Sequence, residues 1–415
     1  MATTRSFQTM LNEYLPNNML KEELIRRDYI LQNVQKDDSW KGGKLIVPFK
    51  ASGASSVRMG GLTASNDIAE DNYVRGSIDD YIESWGSMIF NHRDLMEHNG
   101  KIPESTFLKI LPDTIEDFMD YQKMVVSIQL GTGPHFASSA ADTNLAGGII
   151  QVDRIERFVL DQKVTLVDND TAAGDFYVIN IDINTSDVTL SATRGGAAAS
   201  LIAYTTAANA KFYTDDADAV SYQSIRGALL SLANGGDANV HGVSKLLYPF
   251  LQAVNVDGST ITATNILDEL FDAYTDIRKK ARGQADRYLM SYKNFGSVLK
   301  SLQNHTSLQG NYNIADGSRK SNMFGWDEVV ITSVKGTLKV VAMQEWDDDI
   351  IVLWDPKSMT FRSNGFFKKR KNPEGHEYFE VRNQTGYQYI VDTCLFGELE
   401  VTKPGNNGII YNISY

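Results

Sequence analysis

Residues 103–130 read PESTFLKILPDTIEDFMDYQKMVVSIQL, and the rest of the chain is organised around them. From Ile115 the apolar residues recur at helical spacing, through Phe118, Met119, Val125, Val126 and Ile128, with Tyr121 and Met124 on the shoulders of the stripe. Pro112 suits a first helical position, and Asp113, Glu116 and Asp117 follow where the helix dipole favours negative charge. Gly131 supplies a C-terminal stop. The residues from Glu104 to Leu111 are helix-friendly too, so two readings are open: a helix of about 27 Å starting after Pro112, or a kinked rod of about 40 Å with Pro112 inside it. The longer rod is expected. No residue on it has a chemical task.

Ahead of this helix, residues 1–40 hold two short amphipathic runs, one around Phe7, Met10, Leu11 and Tyr14 and one around Leu20, Leu24 and Ile25. Helices this short cannot bury their faces alone, so the segment must lie on its own core or on a neighbouring subunit. Residues 44–50, KLIVPFK, are strand-like, with Pro48 marking an edge. Residues 51–80 are rich in Gly, Ser, Ala and Asp, and a second extended run follows at 81–90. Two strands around a polar, glycine-bearing stretch predict a protruding hairpin.

After the helix, Gly147-Gly148 opens a different texture. Alternating Tyr177, Ile179, Ile181 and Ile183, then Val188 and Leu190, predict a small all-β module over residues 152–213. Its strands are expected at 154–160, 163–167, 176–184, 187–191 and 201–205, a spacing typical of a compact sandwich or barrel. Helices are expected near 225–232, at 266–280 behind a capping Asn265, and at 295–302. The last third reads as β-strands at 328–332, 338–342, 350–354, 360–367, 377–382 and 387–396. Asn372-Pro373-Glu374-Gly375 would join two of them in a hairpin with the basic tip Lys368-Lys369-Arg370-Lys371.

The 415 residues carry 42% hydrophobic side chains and a net charge of -12, which fits a folded protein of two or three domains and argues against broad affinity for nucleic acid or anionic membranes. A single cysteine, Cys394, excludes an intrachain disulfide and fits a reducing compartment. No apolar run reaches the length of a membrane span, and MATTRSFQTMLNEYL lacks the apolar core of a signal peptide, so a soluble protein made inside the cell is expected. Phosphate-loop, nucleophile-elbow, zinc-protease and CxxC motifs are all missing, and the six histidines never adopt metal-ligand spacing. Asp168-Asn169-Asp170 with Asp175 lacks the spaced ligands of a calcium loop, and Trp346-Asp347-Asp348-Asp349 reads as a loop tip. No catalytic residue, metal or cofactor is expected.

The order of these elements resembles the major capsid proteins of tailed bacteriophages, with the Hong Kong 97 fold. The likeness is carried by GGKLIVPFKASGASSVRMGG and its return strand SWGSMIFNHRDLM, by the long helix, by NILDELFDAYTDIRKKA with YLMSYKNFGSVL, and by DEVVITSVKGTLKVVAMQEWDDDIIVLWDP. It implies an α+β fold with an N-terminal arm (1–40), an extension loop (41–91), a peripheral domain built on a spine helix (92–145), an inserted β-domain (146–213), an axial domain (214–349), peripheral strands and hairpin (350–385), and C-terminal strands returning to the axial domain (386–415). The implied function is a subunit that assembles with itself into hexamers and pentamers of an icosahedral shell around double-stranded DNA. A scaffolding protein and a portal are its implied partners, DNA contact is weak and non-specific, and no membrane is involved. Assembly would occur in the host bacterial cytoplasm and the product would be the virion capsid. The residues implied in contacts between subunits are Lys44, Lys50, Arg58, Lys368, Lys369, Arg370, Lys371 and Glu374. Lys44, Lys50 and Asn372 also have the residue types of a lysine–asparagine cross-link that some members form. Alternatives are an encapsulin-like cellular shell, a hydrolase using Asp347, Asp348 and Asp349, and a carbohydrate-binding or adhesive protein with residues 152–213 as its binding module.

Overall fold

The computed structural model describes residues 4–41, 43–50, 73–91, 95, 102–168, 172–202, 210–214, 222–280, 285–309, 328–333, 336–383 and 386–415. They form a mixed α+β protein with helices α1 (Phe7–Tyr14), α2 (Asn17–Arg27), α3 (Tyr29–Asn33), α4 (Glu104–Gly131), α5 (Ile225–Leu229), α6 (Ile266–Lys280) and α7 (Tyr292–Gln309). Helix α4 is the long rod, 28 residues with Pro112 inside. Pro112 cannot donate to the carbonyl of Leu108, and both residues are exposed, so the interruption falls on the wet side of the helix. The far half differs. Residues from Val125 to Gly133 are buried on every side, with Val126 and Leu130 in the main core and Ile128 in a second core. Gly131 ends the helix against the indole of Trp346, where a Cβ would stand 3.3 Å from the ring.

A five-stranded sheet lies along α4. Its centre is Gly386–Val401, paired on one edge with Ile82–Asn91 and on the other with Met359–Lys369 and then Phe379–Asn383; Gln35–Asp37 extends it in parallel. Gly86 brings this sheet close to the helix, since a Cβ there would meet Phe118 at 2.6 Å and Gln122 at 2.7 Å. A six-stranded sheet runs in the order Val254–Asp257, Gly408–Tyr411, Ile351–Trp354, Arg287–Ser291, Gly336–Met343, Glu328–Ser333. Helices α6 and α7 share its core through Leu270, Ile277, Phe295 and Val298. The third unit is a closed six-stranded barrel in the order Ala172–Asp182, Asp187–Ser191, Ile149–Val152, His135–Asn144, Ala210–Thr214, Lys163–Asp168, filled by Phe136, Val164, Leu166, Phe176, Val178, Leu190 and Phe212.

Several expectations need correction. Residues 4–40, within the segment read as an arm, pack on their own chain, one of the two places the sequence left open. Phe7 stacks on Tyr389 at 4.3 Å and meets Phe90, Phe107 and Tyr378 edge-on, an aromatic cluster that offsets the weak autonomy of so short a helix. Strand Leu45–Lys50 pairs with Tyr73–Ile78, not with the 81–90 run, which joins the five-stranded sheet instead. The barrel draws its first strand from His135, ahead of the 146 boundary, while 154–160 holds a 3-10 turn (Ile155–Arg157) rather than a strand. Within Ala172–Asp182 the inward residues are Phe176 and Val178, the opposite phase from the alternation read in the sequence. A register shift between Val178 and Asn180 then turns Ile181 towards the core opposite Val188, while Ile183 lies past the strand end and is exposed.

Candidate assembly surfaces

The strand pair Leu45–Lys50 and Tyr73–Ile78 has two unlike faces. Val47, Phe49 and Ile78 are buried against the body, whereas Ile46, Pro48, Lys50, Tyr73 and Arg75 are exposed on the other side, Ile46 and Tyr73 at 56% each. This is the period-two alternation of a half-buried ribbon, but its outer face is as apolar as it is cationic. Lys44 sits at the root, 3.0 Å from Asp79. Lys50 lies opposite Tyr73 at the far end of the described ribbon, and Arg58 falls outside the described residues.

The five-stranded sheet also has a face turned away from α4. Trp85 is 51% exposed, with Phe396 6.3 Å from its ring; Ile89 is exposed four residues further along the strand, and Val381 is exposed near that far end, paired with Gln388. Two of the basic residues lie on this face. Lys368 stands over the Phe396 ring at 5.1 Å and Arg370 over Phe379 at 5.1 Å, so each covers apolar surface with its stem.

The remaining basic residues do not form one tip. Met359–Lys369 and Phe379–Asn383 are not paired with each other; both pair with Gly386–Val401, and residues 370–378 leave the edge between them. Lys369 is buried. Its Nζ donates to the Leu15 carbonyl and to Glu377, and burial draws its pKa down. It anchors α1 within the chain and is not available to a neighbour. Lys371 and Glu374 are exposed, with Glu374 3.8 Å from His376. Asn372 is committed to the turn, its Oδ1 accepting the Glu374 and His376 amides at 3.0 and 2.9 Å.

A third place was not legible from sequence. The run Trp346-Asp347-Asp348-Asp349 is no loop tip: Trp346 is fully buried and the three carboxylates meet three arginines from elsewhere. Asp347 accepts from Arg157 at 3.1 Å and Arg226 at 2.9 Å, Asp348 from Arg154 at 3.2 Å, and Asp349 from Arg226 at 2.8 Å. Arg157 also donates to the Phe136 carbonyl at 2.6 Å. Burial alone would raise Asp347, but Arg157, Arg226 and their neighbours hold it below the ordinary carboxylate value. The cluster joins the barrel, α5 and the loop after Gly336–Met343. Each carboxylate has at least one of these arginines as an ion-pair partner, while Asp348 Oδ1 is buried without a hydrogen bond and burial raises the Asp349 pKa. No group of three metal-ligating side chains occurs among the described residues, and among them no helix is long and apolar enough to cross a membrane.

No family model and no curated protein matches the chain. Among solved structures it is similar to the capsid asymmetric unit of cyanophage A-1(L), with 11% identity over 92% of this chain and 91% of that one and a TM-score of 0.42. It is also similar to the capsid of a native GTA particle, with 10% identity over 92% and 90% and a TM-score of 0.43. A third is the holo-SrpI encapsulin complex from Synechococcus elongatus, with 7% identity over 94% and 89% and a TM-score of 0.35.

Proposed function

We propose that this chain is a major capsid protein of the tailed-bacteriophage type, a structural subunit that assembles with itself into the hexamers and pentamers of an icosahedral shell enclosing double-stranded DNA. One observation carries the reading. Among the described residues, apolar side chains lie uncovered on two unlike strand surfaces, the outer side of the ribbon (Ile46, Tyr73) and the outer side of the five-stranded sheet (Trp85, Ile89, Val381). Uncovered apolar patches of this kind mark interfaces. When the two patches differ, the contact is heterologous, and heterologous contacts that close by rotation make rings.

In this reading α4 and the five-stranded sheet are the peripheral domain, the six-stranded sheet with α6 and α7 is the axial domain, and the ribbon is the extension loop. A scaffolding protein and a portal are the further partners, packaged DNA is touched weakly and without sequence preference, and the shell is assembled in the host cytoplasm before it becomes the virion capsid. Lys44, Lys50, Arg58, Lys368, Arg370, Lys371 and Glu374 remain the candidates for contact with a neighbour. Negative-stain microscopy of the purified protein should show closed icosahedral particles or capsomer rings. A strictly monomeric compact species overturns the proposal, and particles filled with a protein cargo instead of DNA favour the encapsulin-like alternative.

The barrel is read as an insertion because its ends meet. A Cβ at Gly133, just before the first barrel strand, would lie 3.8 Å from Ser224 Oγ, just after the module, and the barrel core is separate from the main core and borrows Ile128 and Met124 from α4. Excising residues 135–221 and closing the gap with a short glycine linker should leave both open sheets folded, checked by circular dichroism and amide exchange. Collapse of the five-stranded sheet in that variant rules out the insertion reading.

A further inference from the structure

The inner face of the ribbon rests on a two-residue turn. Asn239–Val240 and Val243–Ser244 form a small antiparallel pair whose two connecting residues, His241 and Gly242, both have positive φ, 49° and 76°. Such a turn favours glycine and asparagine, and histidine is among the few other residues that adopt its left-handed backbone. Three contacts hold it. The Val401 amide at the end of the five-stranded sheet donates to His241 Nε2 at 2.9 Å, the Ser77 amide of the ribbon donates to the His241 carbonyl at 2.9 Å, and the Phe49 ring stacks on the imidazole at 6.3 Å. Gly76 allows the close fit, since a Cβ there would stand 2.8 Å from the His241 carbonyl oxygen.

We propose that His241 is an acid-sensitive latch: its neutral imidazole ties the inner face of the ribbon to the end of the five-stranded sheet, and protonation releases the tie. The chemistry is direct. Nε2 accepts the Val401 N–H only through a lone pair, and a protonated imidazole has none to offer. The imidazolium would also face a donor inside a pocket where His241 is 8% exposed. The charged groups on the surrounding elements are engaged elsewhere or face solvent. Glu400 binds Arg362, Glu398 accepts the Gln223 and Leu399 amides, and Lys245 caps the Gly227 and Leu230 carbonyls, while Lys50 and Arg75 stand on the ribbon's outer face. Burial draws the His241 pKa from 6.5 to about 4.

The open form binds the proton more readily than the closed one, so acid favours opening. Opening should rise about tenfold per pH unit as pH falls from about 6.5 to about 4 and level off below, giving about twentyfold between pH 7 and pH 5. The latch belongs to the single chain, so its test does not depend on shell formation. Native-state hydrogen exchange on the full-length protein, corrected for the intrinsic pH dependence of each amide, should show the Ser77 and Val401 amides losing protection together by that factor. The Val178 amide in the barrel should stay flat. His241→Gln, which keeps an acceptor that cannot titrate, should abolish the response; if it does not fold, His241→Asn serves, because asparagine tolerates the positive φ. Equal pH responses in wild type and variant overturn the latch, as does a loss of protection at Ser77 without one at Val401.

Discussion

Asp347→Ala should destabilise the protein by about 3–5 kcal/mol in a denaturant titration, the cost of leaving a buried cation unpaired. The side chain it abandons, Arg157, is only 3% exposed, and its Nε already has no partner. Neither water nor another carboxylate can take over easily there. Arg226 would fare better, since it is 23% exposed and keeps Asp349. Asp349→Ala is the matched control. Its side chain is 44% exposed, so its loss should cost about 1 kcal/mol or less. Equal costs for the two variants would mean that the cluster is solvated throughout and does not key the barrel to the body.

Replacing residues 51–72 by a tight two-residue turn should abolish shells while leaving the subunit folded. The expectation rests on how the ribbon is attached. Val47, Phe49 and Ile78 secure its root, and the deletion leaves all three, together with the pairs from Leu45–Ile78 to Lys50–Tyr73. The melting transition should therefore hold within a few degrees, and microscopy should show no closed particles. Shells of normal size from this variant would remove the ribbon from the assembly reading.

Much of the architecture was legible because it is written in local pattern. The 3.6 period of α4 and α6 and the β-rich last third all rest on neighbours in sequence, and Pro112 left its helix intact because it faces water. What sequence could not convey is pairing between distant residues. The Leu45–Lys50 strand was matched to the 81–90 run because residues 73–78 read as part of a polar stretch; their pairing depends on Gly76 lying close under the His241 carbonyl, where a Cβ would stand 2.8 Å away. The candidate residues suffered likewise. Lys369 looks like one of four equivalent cations until α1 arrives to bury it, and the acidic run at Asp347 looks like a solvent loop until arginines from the barrel and α5 meet it. A signal did exist for the second: Arg154 and Arg157 sit three apart in a stretch read as a strand, a spacing that puts them on opposite faces of a strand but on one side of a turn.

The central strand Gly386–Val401 is also a tension member. Its 16 residues span about 53 Å at about 3.3 Å each, and ten consecutive residue pairs bind it to Ile82–Asn91 alone. Force applied along its axis loads those pairs side by side, so they must fail together, whereas force across the sheet would open them one after another.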